Sequence, residues 1–228
     1  MIEFERYTLD NGLKILLHHD KTTPMAVVNT LYDVGARDEH EDKTGFAHLF
    51  EHLMFGGSIH IEDFDQELQK AGGESNAFTS NDLTNYYEII PTNNIETALW
   101  LESDRMLSLA FTDKSLEVQR SVVIEEFKQR YLNQPYGDVW LELRPLAYEK
   151  HPYQWATIGK DIAHIEKAVM EDVKSFFKKF YCPSNAILCV SGNFDARSIK
   201  QLIEKYYGAI PGGVKPARIL PIEPAQKE

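Results

Sequence analysis

Cysteine is scarce: Cys182 and Cys189 are the only two in 228 residues. Two thiols make neither a disulfide framework nor a cysteine-rich zinc site, and as reduced side chains they suit a cytoplasmic protein. Long hydrophobic runs are missing as well. The longest are a few residues, far below the roughly 20 that span a bilayer. The opening MIEFERYTLDNG lacks the charged start and apolar stretch of a signal peptide, so no membrane partner is expected. Positive charge is the third shortage, with 24 Lys+Arg against 35 Asp+Glu and a formal charge of −11. Phosphate neutralisation needs clustered Lys and Arg, so no nucleic-acid partner is expected either. What remains is an ordinary globular balance of 43% hydrophobic and 26% charged residues. That length suits one large domain or two small ones.

Strand signals come first along the chain. Phe4–Leu9 and Leu13–His18 flank the turn Asp10-Asn11-Gly12, a hairpin signal because Asn-Gly supplies positive φ values. Met25–Val34 is a long β-rich run, and Glu74–Thr79 and Thr84–Pro91 read as two more strands. Helices dominate between and after them: Thr44–Phe55 with Thr44 as N-cap, Ile61–Ala71, Asn94–Ala110, Thr112–Tyr131 and Tyr136–Tyr148. Ile162–Lys167 and Glu171–Phe180 follow, then a strand over Ala186–Ser191 and a last helix over Ala196–Tyr207. The segregated order implies an α+β fold, an antiparallel or mixed sheet packed against helices, rather than alternating α/β. Residues 1–211 read as the domain. Residues 212–228, rich in Pro and Gly with little pattern, read as a linker or tail.

The chemistry concentrates in His48-Leu49-Phe50-Glu51-His52. Residues four apart on a helix share a face, so His48 and His52 can offer two imidazoles to one metal. Glu51 projects beside them without having to be a ligand. This H-x-x-E-H order is the reverse of the H-E-x-x-H zinc helix. Catalytic zinc takes three protein ligands and a water, whose pKa falls from about 15.7 toward about 7. Glu51 is placed to take that proton and return it to the leaving amine. A third ligand must come from elsewhere. Glu125 and Glu126 are adjacent acids in a helical stretch, and with about 100° between successive residues only one can face a given site. Spacing leaves open which, and an ordinary solvated edge is the plainer reading of the pair.

Further blocks accompany that motif: Leu9–Leu13, Gly35–Glu39, Gly45–Gly57, Gly72-Gly73 with Asn76–Thr79, Tyr86-Tyr87, Arg120–Glu126, His151–Tyr153 with Ile158-Gly159, and Tyr181–Asn185 with Ser191–Asn193. Together they make the chain, to about Gly213, resemble the N-terminal catalytic domain of the pitrilysin, insulin-degrading enzyme and mitochondrial processing peptidase family of zinc metallopeptidases. The resemblance implies one Zn²⁺ held by His48 and His52, Glu51 as general base, and Glu126 as the third ligand with Glu125 as its alternative. It implies that Asn76, Ala77, Phe78 and Thr79 lie on a substrate-binding edge strand, where an extended peptide adds by main-chain hydrogen bonds. Family members usually carry an acid seven residues before the distal ligand. Here that position is Gln119, which removes a charge from behind the metal site.

The resemblance also implies a second homologous domain or subunit that encloses the peptide substrate, so the chain reads as part of a zinc endopeptidase. Two other readings compete. A non-catalytic partner subunit of the same fold would typically lose part of the zinc motif, whereas His48, Glu51 and His52 are all present. A metal-dependent lyase for small molecules is disfavoured by the long edge-strand block.

Overall fold

The computed structural model describes residues 2–225. The Asn11-Gly12 turn joins β1 (Glu5–Thr8) to β2 (Lys14–His19) as an antiparallel hairpin with Tyr7 opposite Ile15. Every second residue of β3 (Met25–Tyr32) is buried, from Ala26 through Val28 and Thr30 to Tyr32. That period of two marks one face turned inward. β4 (Glu74–Thr79) and β5 (Thr84–Pro91) form a second hairpin around residues 80–83. β6 (Ala186–Gly192) returns from the far end of the chain and inserts between β2 and β3, parallel to β2 and antiparallel to β3. The resulting six-stranded mixed sheet runs β1-β2-β6-β3-β5-β4, so β4 is an edge strand paired on one side only.

The helices are α1 (Phe46–Leu53), α2 (Phe64–Lys70), α3 (Ile95–Leu107), α4 (Asp113–Phe127), α5 (Val139–Ala147), α6 (Ile162–Glu166), α7 (Met170–Phe180) and α8 (Ala196–Tyr207). The architecture is the α+β arrangement expected from the order of elements. α3 packs on β3 and β5 and meets α8, while α1 lies against β4, β5 and α4. One feature of this packing was invisible in the pattern. Arg105 of α3 is fully buried, bonded to Glu88 of β5 at 3.0 Å and to Glu102 on its own helix. Its guanidinium lies over the rings of Phe64 and Tyr86, 4.3 and 4.7 Å from their centroids. Burial pushes the Glu88 carboxyl well above the usual carboxylate range, which limits the charge the triad holds in the core.

α1 is eight residues long, too short to be stable alone, so burial must hold it. Phe46, Ala47, Leu49, Phe50 and Leu53 are all in the core, and Phe50 stacks on Phe176 and Tyr181 at 4.9 and 5.0 Å. The N-cap is Gly45 at φ 87, where a Cβ would stand 2.6 Å from the Ile158 carbonyl oxygen. Thr44, expected as the cap, instead accepts from Lys160 N and meets His164 Nδ1 at 2.9 Å. Capping falls to Glu39, whose buried carboxyl accepts from Gly45 N at 2.9 Å and Ala47 N at 2.8 Å. Burial pushes that carboxyl up to about 8, against the pull of the two amides. Removing the acceptor strands two buried donors. Glu39→Ala is expected to lower unfolding free energy by about 2–4 kcal/mol in urea titration, while Glu39→Gln, which keeps an acceptor, costs less.

Candidate metal centre

His48 and His52 rise from one face of α1 with ring centroids 4.9 Å apart and planes 84° to each other. Glu126, one residue from the end of α4, brings its carboxylate to the same point. Its Oε2 lies 3.5 Å from His48 Nε2 and 3.4 Å from His52 Nε2. Each residue offers one ligand atom, all within 4.8 Å of one another. Those separations exceed the usual 2.7–3.2 Å of N–H···O hydrogen bonds. They match the edge of a tetrahedron with bonds of about 2.0–2.1 Å, which is roughly 3.3–3.4 Å. Two imidazoles and a carboxylate are also the donor set zinc takes, so the residues fit that ion. Burial holds His48 down to about 4, leaving the imidazole neutral and able to ligate near pH 7. Its Nδ1 is buried and has no hydrogen-bond partner among the described residues.

The adjacent acids separate cleanly. Glu125 is exposed and pairs with Lys128 at 2.6 Å, while Glu126 turns inward and its second oxygen meets Arg130 Nη1 at 3.1 Å. The contact with His52, together with those with His48 and Arg130, holds the Glu126 carboxyl below its ordinary range despite burial. Directly after it the helix widens into a π-turn over Lys128–Leu132, an irregularity frequent at functional sites. Glu51 is partly buried beside the cluster, and burial raises its carboxyl. Thr79 Oγ1 donates to Glu51 Oε2 at 2.5 Å, tying edge strand β4 to α1. Phe78 and Asn76 face outward on that strand, and Asn76 Oδ1 accepts from Ala77 N at 2.8 Å. Ala77 and Thr79 face inward. Gln119 lies two turns before Glu126 on α4, half-buried and outside the three-residue cluster.

One residue and two bonds escaped the sequence pattern. Arg130 stands four residues after Glu126, a spacing that could have signalled the pair. The Thr79 to Glu51 and Glu39 to α1 bonds join residues on different elements, and no local signal announces them.

Residues 14–159 match the profile of the insulinase family, peptidase family M16, and residues 167–228 match that of the M16 inactive domain. The chain belongs to the insulinase family. A curated relative, the zinc protease PqqE of Helicobacter pylori, is 34% identical over 209 residues, covering 90% of this chain and 47% of its own length. The mitochondrial-processing peptidase subunit beta of Saccharomyces cerevisiae is 28% identical, covering 91% of this chain and 45% of its own. Among solved structures, a protease from Helicobacter pylori superposes with a TM-score of 0.90 at 32% identity, covering 98% of this chain and 55% of the other. A putative M16-like peptidase from Alicyclobacillus acidocaldarius gives 0.87 at 25% identity, over 98% of this chain and 54% of the other. This insulinase-family chain therefore spans about half the length of the curated relatives it matches.

Two predictions follow from the geometry. Glu126→Gln is expected to lose bound zinc in elemental analysis, with Glu125→Gln retaining it. The second concerns acid. The folded pKa of His48, about 4, lies below its ordinary 6.5, so the unfolded chain takes up the proton first. The contribution of His48 to the stability of metal-free protein is then complete above about pH 6.5 and is lost as the pH drops toward 4, by up to about 3 kcal/mol, while the raised carboxyls of Glu39 and Glu88 act in the opposite direction over that window. Urea midpoints measured across that window in the presence of a chelator check this as the difference between wild type and His48→Gln, which should change as the pH falls toward 4 and stay constant above about pH 6.5.

Proposed function

We propose that this chain is the catalytic half of a zinc endopeptidase that hydrolyses peptides or small unfolded polypeptides. The observation that carries the reading is the convergence of His48, His52 and Glu126 at zinc-ligand spacing, with Glu51 beside them on the same short helix. One Zn²⁺ held by those three residues would polarise a peptide carbonyl and lower the pKa of a neighbouring water. The chain's own residues do the rest. Glu51 accepts the proton and delivers it to the leaving amine, and its raised carboxyl pKa brings it nearer the working pH of a general base. The Thr79 hydroxyl fixes the carboxylate's rotamer through Oε2 and leaves Oε1 for the proton. The free side of β4 offers main-chain donors and acceptors to an extended peptide, with Asn76, Ala77, Phe78 and Thr79 setting the pockets.

Residues 1–211 form the peptidase domain in this reading, and 212–228 lead toward a second homologous domain or subunit that closes over the substrate. Besides the twofold length of the relatives, an open surface supports this. α5 has no buried residue, and with the turn before it exposes Tyr136, Val139, Trp140, Leu143 and Leu146. A contiguous apolar face of that kind calls for a cover.

The test compares wild type with Glu51→Gln in the full-length protein, measuring bound zinc and cleavage of a mixed peptide library. The expected outcome is stoichiometric zinc in both and a loss of cleavage of roughly a hundred- to ten-thousandfold in the variant. A wild type without zinc, or a variant cleaving at the wild-type rate, overturns the proposal.

A further inference from the structure

The segment after Pro211 carries no helix or strand among its described residues, yet it is pinned to the body. Three of its apolar side chains do not do this: Val214, Ile219 and Ile222 are 85%, 97% and 91% exposed. Besides the backbone bond from Ser184 N to the Gly212 carbonyl at 3.0 Å, polar side chains hold it at two points. At the first, Arg218 Nε donates to Asp38 Oδ1 at 2.5 Å, its Nη2 donates to the Asp33 carbonyl at 2.6 Å, and its Nη1 lies 3.1 Å from Asp33 Oδ1. Lys215 joins Asp33 from the same side at 3.1 Å. At the second, one carboxylate gathers three consecutive backbone amides. Glu223 accepts from Glu149 N at 2.6 Å, Lys150 N at 3.0 Å and His151 N at 2.7 Å.

Both points abut the frame of the metal centre. Asp38 precedes Glu39, the residue that caps α1. Arg37 bonds Asp33 at 3.1 Å and Asp82 at 2.8 Å, and Asp82 lies in the turn that joins β4 to β5, three residues after Thr79. Tyr153 donates to the same Asp82 oxygen at 2.6 Å, and its ring meets that of His151 at 4.3 Å. Gly35 lets the two loops touch at the backbone, since a Cβ there would stand 2.5 Å from the Asn81 carbonyl oxygen. The Glu223 anchor therefore runs through 149–153 to Asp82, Thr79 and Glu51. The Arg218 anchor runs through Asp38 to Glu39 and α1.

We infer that Arg218 and Glu223 are positioning residues: the segment carrying them is a clasp that holds the 80–83 turn and the start of α1 in the geometry of the site. The consequence for turnover rests on the proposed peptidase activity; the consequence for the frame does not.

The test uses the full-length protein with Arg218→Ala, Glu223→Ala and the conservative Arg218→Lys and Glu223→Gln. Amide hydrogen exchange reads the frame. Residues 149–151 and 80–83 are expected to exchange roughly tenfold faster in Glu223→Ala, and the first turn of α1 in Arg218→Ala. Zinc stoichiometry should be unchanged. kcat should fall roughly ten- to a hundredfold with KM nearly constant, because a small misplacement of Glu51 costs rate rather than binding. The conservative variants should recover most of it. Faster exchange confined to 212–225 overturns the clasp. So does a kcat equal to wild type in both alanine variants. A wild type that cleaves no peptide refutes the peptidase reading, while the exchange arm still decides the clasp.

Discussion

The carboxyl of Glu39 on the open amides of α1 is the contact from which the site is set. An eight-residue helix has half its backbone donors unpaired at the start, and here they lie inside the protein, where water cannot serve them. Glu39 meets two of them, and Gly45 admits the chain at an angle no side chain would tolerate. With α1 fixed, the i to i+4 relation of His48 and His52 fixes two donor atoms. The packing of α4 across α1 then brings in Glu126, and the edge strand reaches Glu51 through Thr79. Each partner arrives from a different element, so the site reports the tertiary fold.

Residues whose information is local were legible in advance. Asn11-Gly12 announced the first hairpin, the alternation of β3 announced a half-buried strand, and His48, Glu51 and His52 announced a shared helical face. Spacing left the choice between Glu125 and Glu126 open, because adjacent helical positions differ only in the direction they face, and only the resemblance pointed to Glu126. It took the packing of α4 to turn one outward to Lys128 and the other inward. Thr44 looked like a cap, but the chain turns at Gly45 and sends its hydroxyl to Lys160 and His164. The insertion of β6 between β2 and β3 and the burial of Arg105 between Glu88 and Glu102 are likewise long-range pairings. Neither hydrophobic periodicity nor charge count encodes them.

Charge, sparse in its positive sign, is used at structural points. Arg37, Arg105 and Arg218 each meet an acid on a buried or half-buried contact, with Asp82, Glu88 and Asp38 respectively, and the exposed Arg130 meets the half-buried Glu126. Guanidinium suits this because its planar fork binds carboxylates with defined geometry. The overall −11 thus surrounds a framework in which these four arginines are already paired. It leaves a net acidic molecule in which a cationic site such as a bound Zn²⁺ is electrostatically favoured.

The central claim is that one metal sits between α1 and α4, and zinc K-edge X-ray absorption on zinc-loaded protein tests it most directly. The account predicts a first shell of two imidazole nitrogens and carboxylate oxygen at about 2.0–2.1 Å, with the carboxylate contribution lost in Glu126→Gln. A shell containing sulfur, or one with no histidine scattering, would contradict it.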